Sequence, residues 1–141
     1  MILGIGTDIV HRNRVKKIYD KYESKFLERI FGVNEINTFN SLKQTGDLFL
    51  AKRFAGKEAT WKALSFDRGS GLLFTEIEIL NHINGKPYLF FSGKTKKLIS
   101  SKERSLKAKL KFDISLSDEP PFVLAFVIIS LAPSQKVMHK V

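Results

Sequence analysis

The chain opens with an apolar segment, residues 1–10, whose hydrophobic side chains follow one another without regular alternation. Such a run predicts a strand that is buried on both faces. Polar and basic residues follow, and apolar residues recur among them at helical spacing. This pattern predicts helices over residues 11–21, 24–31 and 34–42. Asn34 is a suitable N-cap for the third helix.

The strongest helical pattern covers residues 47–64, a segment without proline that is rich in Ala, Leu, Lys and Glu. Large apolar residues share one face of this helix: Leu50, Phe54, Trp61 and Leu64. A ridge of small residues lies beside that face: Ala51, Ala55, Ala59 and Ala63. We expect another element of the fold to approach the helix closely along this ridge. Residues 69–71 then predict a loop.

Strand patterns dominate the second half of the chain. Residues 76–80 and 87–91 flank Asn84-Gly85, a dipeptide typical of tight hairpin turns. Residues 94–104, which follow the second of these strands, predict a basic helix. The sequence therefore predicts an antiparallel hairpin followed by a helix.

The next segment, residues 106–117, alternates apolar and polar side chains without interruption. This alternation predicts a half-buried strand, and residues 122–130 predict a more buried partner strand. Helices mixed with antiparallel hairpins indicate a single α+β domain with one long helix over residues 1–132. We expect residues 133–141 to form a flexible tail.

Composition narrows the classes of function. The 141 residues include 24 Lys and Arg against 14 Asp and Glu, a formal net charge of +10 that favours an acidic partner. The absence of cysteine excludes disulfides, thiolate zinc sites and cysteine nucleophiles. The apolar runs resemble no signal peptide and are shorter than the ~20 residues that span a bilayer. We therefore expect a cytoplasmic protein that has no contact with a membrane.

Two carboxylates occupy positions that call for an explanation. One lies in an apolar strand, where a charge is costly, and the other is held on a rigid helix. Asp8 interrupts the apolar first strand, where a lone carboxylate needs a partner or a metal ion. Glu58 lies on the inward side of the long helix, one turn before Lys62. Structural roles are open for both: an N-cap or an arginine salt bridge for Asp8, and an i,i+4 pair with Lys62 for Glu58. The functional alternative is that the two carboxylates bind Mg²⁺ and Lys62 binds a phosphate on the same ion.

Basic residues are concentrated in two regions, residues 12–29 and 94–111. Such clusters are usually solvated faces, but two of them in a chain of this charge indicate an acidic partner, and nucleic acid is the generic candidate. Few aromatic residues lie among them, and no RNA-binding or zinc-finger motif is present. A non-catalytic basic nucleic-acid-binding module is therefore the second hypothesis.

Four motifs carry a resemblance to a known family. They are Gly4-Ile5-Gly6-Thr7-Asp8-Ile9-Val10; Arg53-Phe54-Ala55-Gly56-Lys57-Glu58-Ala59 with Lys62-Ala63; Asn84-Gly85-Lys86-Pro87; and Ile114-Ser115-Leu116-Ser117-Asp118-Glu119. In these motifs the chain resembles the holo-[acyl-carrier-protein] synthases, the small 4′-phosphopantetheinyl transferases of fatty-acid synthesis. The resemblance extends to about Leu131, and the first two motifs together are the most specific.

The resemblance implies a reaction and a set of catalytic residues. The family moves the phosphopantetheine arm of coenzyme A onto a serine of acyl carrier protein and releases adenosine 3′,5′-bisphosphate. Asp8 and Glu58 match the carboxylates that bind Mg²⁺, and Lys62 matches the lysine beside the phosphate. The proton of the incoming serine would pass to a metal-bound water, or to Glu58 through a water.

The resemblance also implies binding residues and an assembly. Residues that match coenzyme A contacts, besides Lys62, are Arg53, Asn84, Gly85, Lys86 and Pro87. Residues that match the basic helix docking the acidic carrier protein are Arg14, Lys17, Lys21, Lys25 and Arg29. The small members of the family are homotrimers with sites between subunits, and we expect the same here.

The chain departs from the family pattern at two places. Asp113 stands where the family usually has His, and Ser65-Phe66-Asp67 stands where it usually has Gly-Thr-Gly. The loop after the long helix would then rely on Gly69 and Gly71 to approach the cofactor. These changes leave a third hypothesis open, a relative that binds coenzyme A or carrier protein without catalysing transfer.

Overall fold

A computed structural model describes residues 1–66 and 69–133 of the chain. The helices are α1 Arg12–Tyr22, α2 Ser24–Ile30, α3 Val33–Ser41, α4 Gly46–Leu64 and α5 Gly93–Leu106, with a 3₁₀ turn at Phe74–Glu76. The strands are β1 Ile2–His11, β2 Ile77–Asn81, β3 Pro87–Phe91, β4 Leu110–Glu119 and β5 Phe122–Leu131. The predicted α+β class is confirmed. The predicted tail lies outside the described residues from residue 134 onward.

The strands form two antiparallel sheets. One has three strands in the order β1-β5-β4, and the other is the β2–β3 hairpin. The turn of that hairpin contains Gly85 at φ 86°, as the Asn-Gly signal predicts. Helix α4 packs across one face of the three-stranded sheet, against β1 and β5, and its alanine ridge is buried there. None of the helices in the described ranges is long and apolar enough to cross a membrane.

The prediction that β1 is buried on both faces is wrong. Val10 points to α4 and is buried, but Ile5 is 56% exposed and Ile9 is 63% exposed. Helix α4 covers only one face of the sheet, because β1, β5 and β4 lie side by side in a single layer. The opposite face, which we call the outer face, also exposes Phe122 and Leu124 of β5.

Two glycines bring β1 into direct contact with the backbone of α4. A Cβ atom at Gly4 would overlap the carbonyl oxygen of Ala63, and one at Gly6 would overlap that of Ala59. The alanine ridge therefore admits a neighbouring element, as predicted, and glycines on the facing strand make the contact possible.

Gly6→Ala is expected to lower the free energy of unfolding by about 2 kcal/mol or more, because the added methyl group meets backbone rather than a movable side chain. Urea unfolding followed by circular dichroism measures the change. Thr7→Ala, on the exposed side of the same strand, is the matched control and should change stability much less. Equal stability of Gly6→Ala and the unmodified chain would contradict the close packing of β1 on α4.

The predicted starts of α3 and β4 differ from the structure. Helix α3 starts one residue earlier than expected, with Gly32 rather than Asn34 as its N-cap. Strand β4 starts at Leu110 rather than residue 106, because α5 continues to Leu106 and ends at Lys107 in a left-handed conformation (φ 54°). The sequence alternation continued through this helix end and therefore did not indicate the boundary.

A buried ion pair connects four elements of the fold: α4, α3, the 3₁₀ turn and β2. Lys57 of α4 and Glu35 of α3 are both fully buried and in direct contact. Lys57 Nζ also donates to the carbonyl oxygens of Phe74, at 2.9 Å, and Ile77. Burial raises the pKa of Glu35 and lowers the pKa of Lys57. The pair therefore fixes the 3₁₀ turn and β2 against α4 at a considerable desolvation cost.

Candidate active site

Asp8 lies near the end of β1, on the face that packs against α4. The ammonium group of Lys62 on α4 donates hydrogen bonds to Asp8 Oδ1, at 3.2 Å, and to the carbonyl oxygen of Thr7, at 3.0 Å. The N-cap alternative for Asp8 is wrong, because His11 caps α1 by accepting from the backbone N–H of Asn13. Its salt-bridge partner is a lysine on another element rather than an arginine.

Glu58 lies beside this pair and is half-buried. Burial raises its pKa, the negative charge of Asp8 raises it further, and the cations Lys62 and Arg14 oppose the shift. The ion pair of Lys62 is with Asp8 and not with Glu58, so the predicted i,i+4 pair is wrong. Asp8 lies on β1, two residues after Gly6, and Glu58 lies midway along α4. The two carboxylates therefore come from separate elements and interact electrostatically.

This donor set fits a hard divalent cation. Mg²⁺ binds through one or two carboxylates and completes its shell with water and phosphate oxygens. Burial, and after it the negative charge of Asp8, raise the pKa of Glu58, and a cation between the two carboxylates would offset the repulsion between them. Within residues 1–66 and 69–133 no cluster of three or more His, Asp or Glu side chains could hold a metal ion. A site here would therefore use two protein carboxylates.

A cavity of about 610 Å³ opens beside Glu58. Its walls are Trp61 of α4, Phe74 of the 3₁₀ turn and the loop residues 69–72. Gly69 and Gly71 in that loop have positive φ angles of 82° and 93°. The loop therefore brings backbone rather than side chains to the cavity wall at these two positions.

A second cavity, of about 390 Å³, brings together most of the predicted coenzyme A residues. Arg53 lines it with Asn81 and with Gly85, Lys86 and Pro87 of the hairpin turn. Asn84 accepts a hydrogen bond from the backbone N–H of Lys86 at 3.0 Å and so closes the turn. Glu58 lines the first cavity and not the second, so the predicted site residues of one chain fall into two groups.

Arg53 is a buried cation without a carboxylate partner among the described residues. It is 7% exposed, and burial lowers its pKa. Its guanidinium lies 4.2 Å from the ring centroid of Phe49 and donates to Asn81 Oδ1 at 3.0 Å. Its Nε–H has no acceptor in the described part of the chain. An anionic ligand in the second cavity could supply that acceptor.

The predicted docking residues lie on two consecutive helices, α1 and α2, whose exposed side we call the α1–α2 surface. All five side chains are exposed, and none forms an ion pair with a residue in the described ranges: Arg14, Lys17, Lys21, Lys25 and Arg29. Lys25 and Arg29 border an apolar groove of about 420 Å³ between the two helices. The groove is lined by Ile18, Tyr22, Phe26 and Ile30. Charge and apolar surface therefore occur together here.

The comparisons with known proteins agree with this geometry. The family model of the 4′-phosphopantetheinyl transferase superfamily matches residues 4–119, which include both carboxylates and the second cavity. The chain belongs to this superfamily. The resemblance stated from the four motifs is confirmed.

Members of the superfamily align with nearly the whole chain. A holo-[acyl-carrier-protein] synthase from Orientia tsutsugamushi (strain Boryong) is 46% identical over 92% of this chain and 98% of its own length. The crystal structure of the synthase from Neisseria meningitidis has a TM-score of 0.78 at 35% identity, covering 92% of this chain and 99% of that one. The synthase from Bacillus anthracis, crystallised in complex with CoA (3′,5′-ADP), has a TM-score of 0.73 at 34% identity, covering 94% and 99%.

The departures from the superfamily pattern have structural consequences. Ser65 ends α4 in a left-handed conformation (φ 52°), a position that favours glycine, and its Oγ donates to the carbonyl oxygen of Lys62 at 3.0 Å. Phe66 packs against the core beneath Lys102 of α5, whose Nζ lies 5.4 Å from the ring centroid. Asp113 is exposed on the outer face, 3.7 Å from Lys111. Asp67 lies outside the described residues.

Two features of the candidate site do not follow from the sequence. Lys57 fixes Phe74, which lines the cavity beside Glu58. Arg14 was assigned only to docking, yet its charge reaches Glu58. A lysine inside an alanine-rich helix was the available signal for the first. Nothing in the sequence indicated the second, because α1 and α4 are far apart along the chain.

Proposed function

We propose that this chain transfers the 4′-phosphopantetheine group of coenzyme A to a serine of an acyl carrier protein of fatty-acid synthesis. The serine oxygen attacks the β-phosphorus, and the bond to the departing adenosine 3′,5′-bisphosphate breaks. The observation that carries the proposal is the grouping of Asp8, Glu58 and Lys62 in a chain that belongs to the superfamily over residues 4–119.

The proposal includes Mg²⁺ bound by Asp8 and Glu58. When bound, the ion would polarise the β-phosphate and offset the charge that develops on the leaving group. Lys62 would donate hydrogen bonds from its ammonium to the same phosphate. The proton of the incoming serine would pass to a metal-bound water, or to Glu58 through a water.

Arg53 and the Asn84–Pro87 turn support a role in holding coenzyme A. The Nε–H of Arg53 needs an acceptor, and a phosphate oxygen or carbonyl of the cofactor could provide it. The turn residues Gly85, Lys86 and Pro87 face the same cavity. We infer that this cavity takes the part of coenzyme A that is not transferred.

The direct test is a mass measurement. The purified chain is incubated with coenzyme A, Mg²⁺ and an apo carrier protein, and the carrier protein should gain the mass of one phosphopantetheine group. Binding of coenzyme A without a mass gain would indicate the non-catalytic relative. Tight, salt-sensitive binding of RNA that needs no Mg²⁺, together with no mass gain, would favour the nucleic-acid-binding alternative.

We further propose that the α1–α2 surface docks the acidic carrier protein. Its five cations are not neutralised by neighbouring carboxylates in the described part of the chain, in contrast to Lys16, which pairs with Asp20 at 2.7 Å. The adjacent apolar groove offers Tyr22, which is 50% exposed, to a partner. Charge would steer the encounter, and the groove would add buried apolar contact.

Arg29→Glu is expected to weaken carrier-protein binding by roughly tenfold at low salt and to flatten its salt dependence, because it reverses a charge at the edge of the groove. Lys97→Glu, an exposed lysine of the second basic cluster, is the matched control with the same change in net charge. Titration calorimetry at two salt concentrations measures both. An equal loss in the two variants would mean that net charge, and not this surface, governs binding.

The chain is also proposed to assemble as a homotrimer with sites between subunits. Two observations support this. The outer face leaves Ile5, Ile9, Phe122 and Leu124 exposed, which is costly for an isolated subunit. The two groups of predicted site residues line different cavities of one chain. A second subunit could therefore bring its second cavity, lined by Arg53, next to the first cavity, beside Glu58, of its neighbour.

Mixing inactive variants tests this arrangement. Asp8→Asn and Arg53→Ala damage different groups of site residues, so mixed trimers would contain some intact sites. Activity should reappear when the two variants are unfolded, mixed and refolded together, and light scattering should give three subunits. A fully active monomer would contradict the assembly, and a trimer without recovery of activity would contradict the shared site.

A further inference from the structure

The position of Lys62 has a consequence for how the site is loaded. Its ammonium lies 3.2 Å from Asp8 Oδ1 and is held there by a second hydrogen bond, 3.0 Å long, to the carbonyl oxygen of Thr7. Glu58 lies one turn before Lys62 on the same helix, so the two side chains are neighbours on the helix surface. One lysine therefore compensates both carboxylates of the pair.

A divalent cation bound by Asp8 and Glu58 would compete with this ammonium. Both cations would use the same carboxylate, and at such short range their repulsion is strong because the Asp8 side chain is largely shielded from water. The Lys62 side chain itself is half exposed, so it is free to turn away. The obvious new partner for the displaced ammonium is the phosphate that arrives with the metal ion.

We propose that Lys62 is the internal counter-ion of the Asp8–Glu58 pair, so that the metal ion and the diphosphate of coenzyme A bind cooperatively. The inference rests on the proposed function and deepens it. The metal ion alone must displace Lys62 into solvent, whereas the metal ion with a diphosphate gives Lys62 a new anion. Each ligand therefore lowers the cost of binding the other, and the coupling is reciprocal.

Metal binding without turnover tests the proposal. Mn²⁺ replaces Mg²⁺ as a probe, and its free concentration is followed by electron paramagnetic resonance at pH 8, with and without saturating coenzyme A and without carrier protein. The proteins compared are the unmodified chain, Lys62→Met, Lys62→Arg and the control Lys16→Met. Lys16 also pairs with a single aspartate, Asp20, but lies on the exposed surface of α1.

Lys62→Met should bind Mn²⁺ alone roughly tenfold more tightly than the unmodified chain, because the competing charge is gone. Coenzyme A should strengthen Mn²⁺ binding to the unmodified chain, and this gain should shrink in Lys62→Met. Lys62→Arg keeps the charge and should keep weak binding of the ion alone. Lys16→Met should match the unmodified chain.

The outcomes separate this inference from the proposed function. If Lys62→Met gains no affinity for Mn²⁺ alone while Asp8→Asn and Glu58→Gln abolish binding in the presence of coenzyme A, the metal site stands and the counter-ion role is overturned. If Asp8→Asn and Glu58→Gln bind Mn²⁺ as the unmodified chain does, the metal assignment itself fails, and the counter-ion role fails with it. Thermal unfolding of each variant verifies that it is folded.

Discussion

Asp8→Asn is expected to slow carrier-protein modification by about 10³-fold or more while leaving the chain folded, because a metal ligand is lost and a neutral amide takes its place. Glu58→Gln should have an effect of similar size. Asp8 lies near the end of β1 without capping a helix, and its ion-pair partner Lys62 is half exposed, so little stability depends on its charge. The rate of mass gain of the carrier protein measures the effect.

The control for these variants is Asp20→Asn. Asp20 also pairs with a lysine, Lys16, but on the exposed surface of α1 and away from the cavity beside Glu58. It should modify carrier protein at the unaltered rate. If Asp8→Asn or Glu58→Gln kept that rate too, the assignment of the two carboxylates to Mg²⁺ would be wrong, although membership of the superfamily would stand.

Lys57→Met is expected to be the most destabilising of the substitutions considered, by about 3–5 kcal/mol, because it leaves the Glu35 carboxylate buried without its cation. Glu35 would keep the hydrogen bonds from the backbone N–H groups of Gly32 and Ile79 but would lose its cation. Phe74 and Ile77 would also lose the donor to their carbonyl oxygens. Urea unfolding measures the loss.

The double variant Lys57→Met with Glu35→Gln provides the control, because it removes both charges. It should lose less stability than the sum of the two single variants, with a coupling of about 1–3 kcal/mol for groups in direct contact. Additive losses would mean that the two side chains stabilise the fold independently. A change of Lys62, on the same helix but half exposed, should cost much less than the change of Lys57.

Helix and strand positions followed from the sequence wherever local signals mark them. The long helix and the β3 strand lie within one residue of their predicted bounds. The first is a proline-free segment rich in helix-forming residues, and the second follows the Asn84-Gly85 turn. Failures occurred where a distant residue decides the outcome. The first turn of α3 donates to a distant side chain: the backbone N–H groups of Asn34 and Glu35 donate to Glu78, which is more than 40 residues away.

The burial of β1 could not be predicted from one chain. The apolar residues on its outer face are as hydrophobic as those on its inner face, so the sequence pattern is that of a strand covered on both sides. Among the described residues of one subunit, α4 covers the inner side of β1, whereas Ile5 and Ile9 on the outer side are exposed. The pattern would describe the strand correctly if another subunit covers the outer face, as we propose.

The candidate site was predictable in its residue types but not in its pairing. Asp8 and Glu58 were indicated by charges at inward positions and by the family motifs. The sequence favoured Lys62 as the neighbour of Glu58, because the two residues are four apart on one helix. In the structure Lys62 reaches across to Asp8, a contact between residues 54 positions apart that no local pattern reports.

The glycine contact between β1 and α4 has a consequence for mutational tolerance. Asp8 follows Gly6 by two residues on the strand, and Glu58 directly precedes Ala59, the helix residue whose carbonyl oxygen Gly6 faces. At this point the backbone of β1 contacts the backbone of α4 directly, without an intervening side chain. Substitutions elsewhere in the interior can therefore alter packing without changing the separation of the two acids.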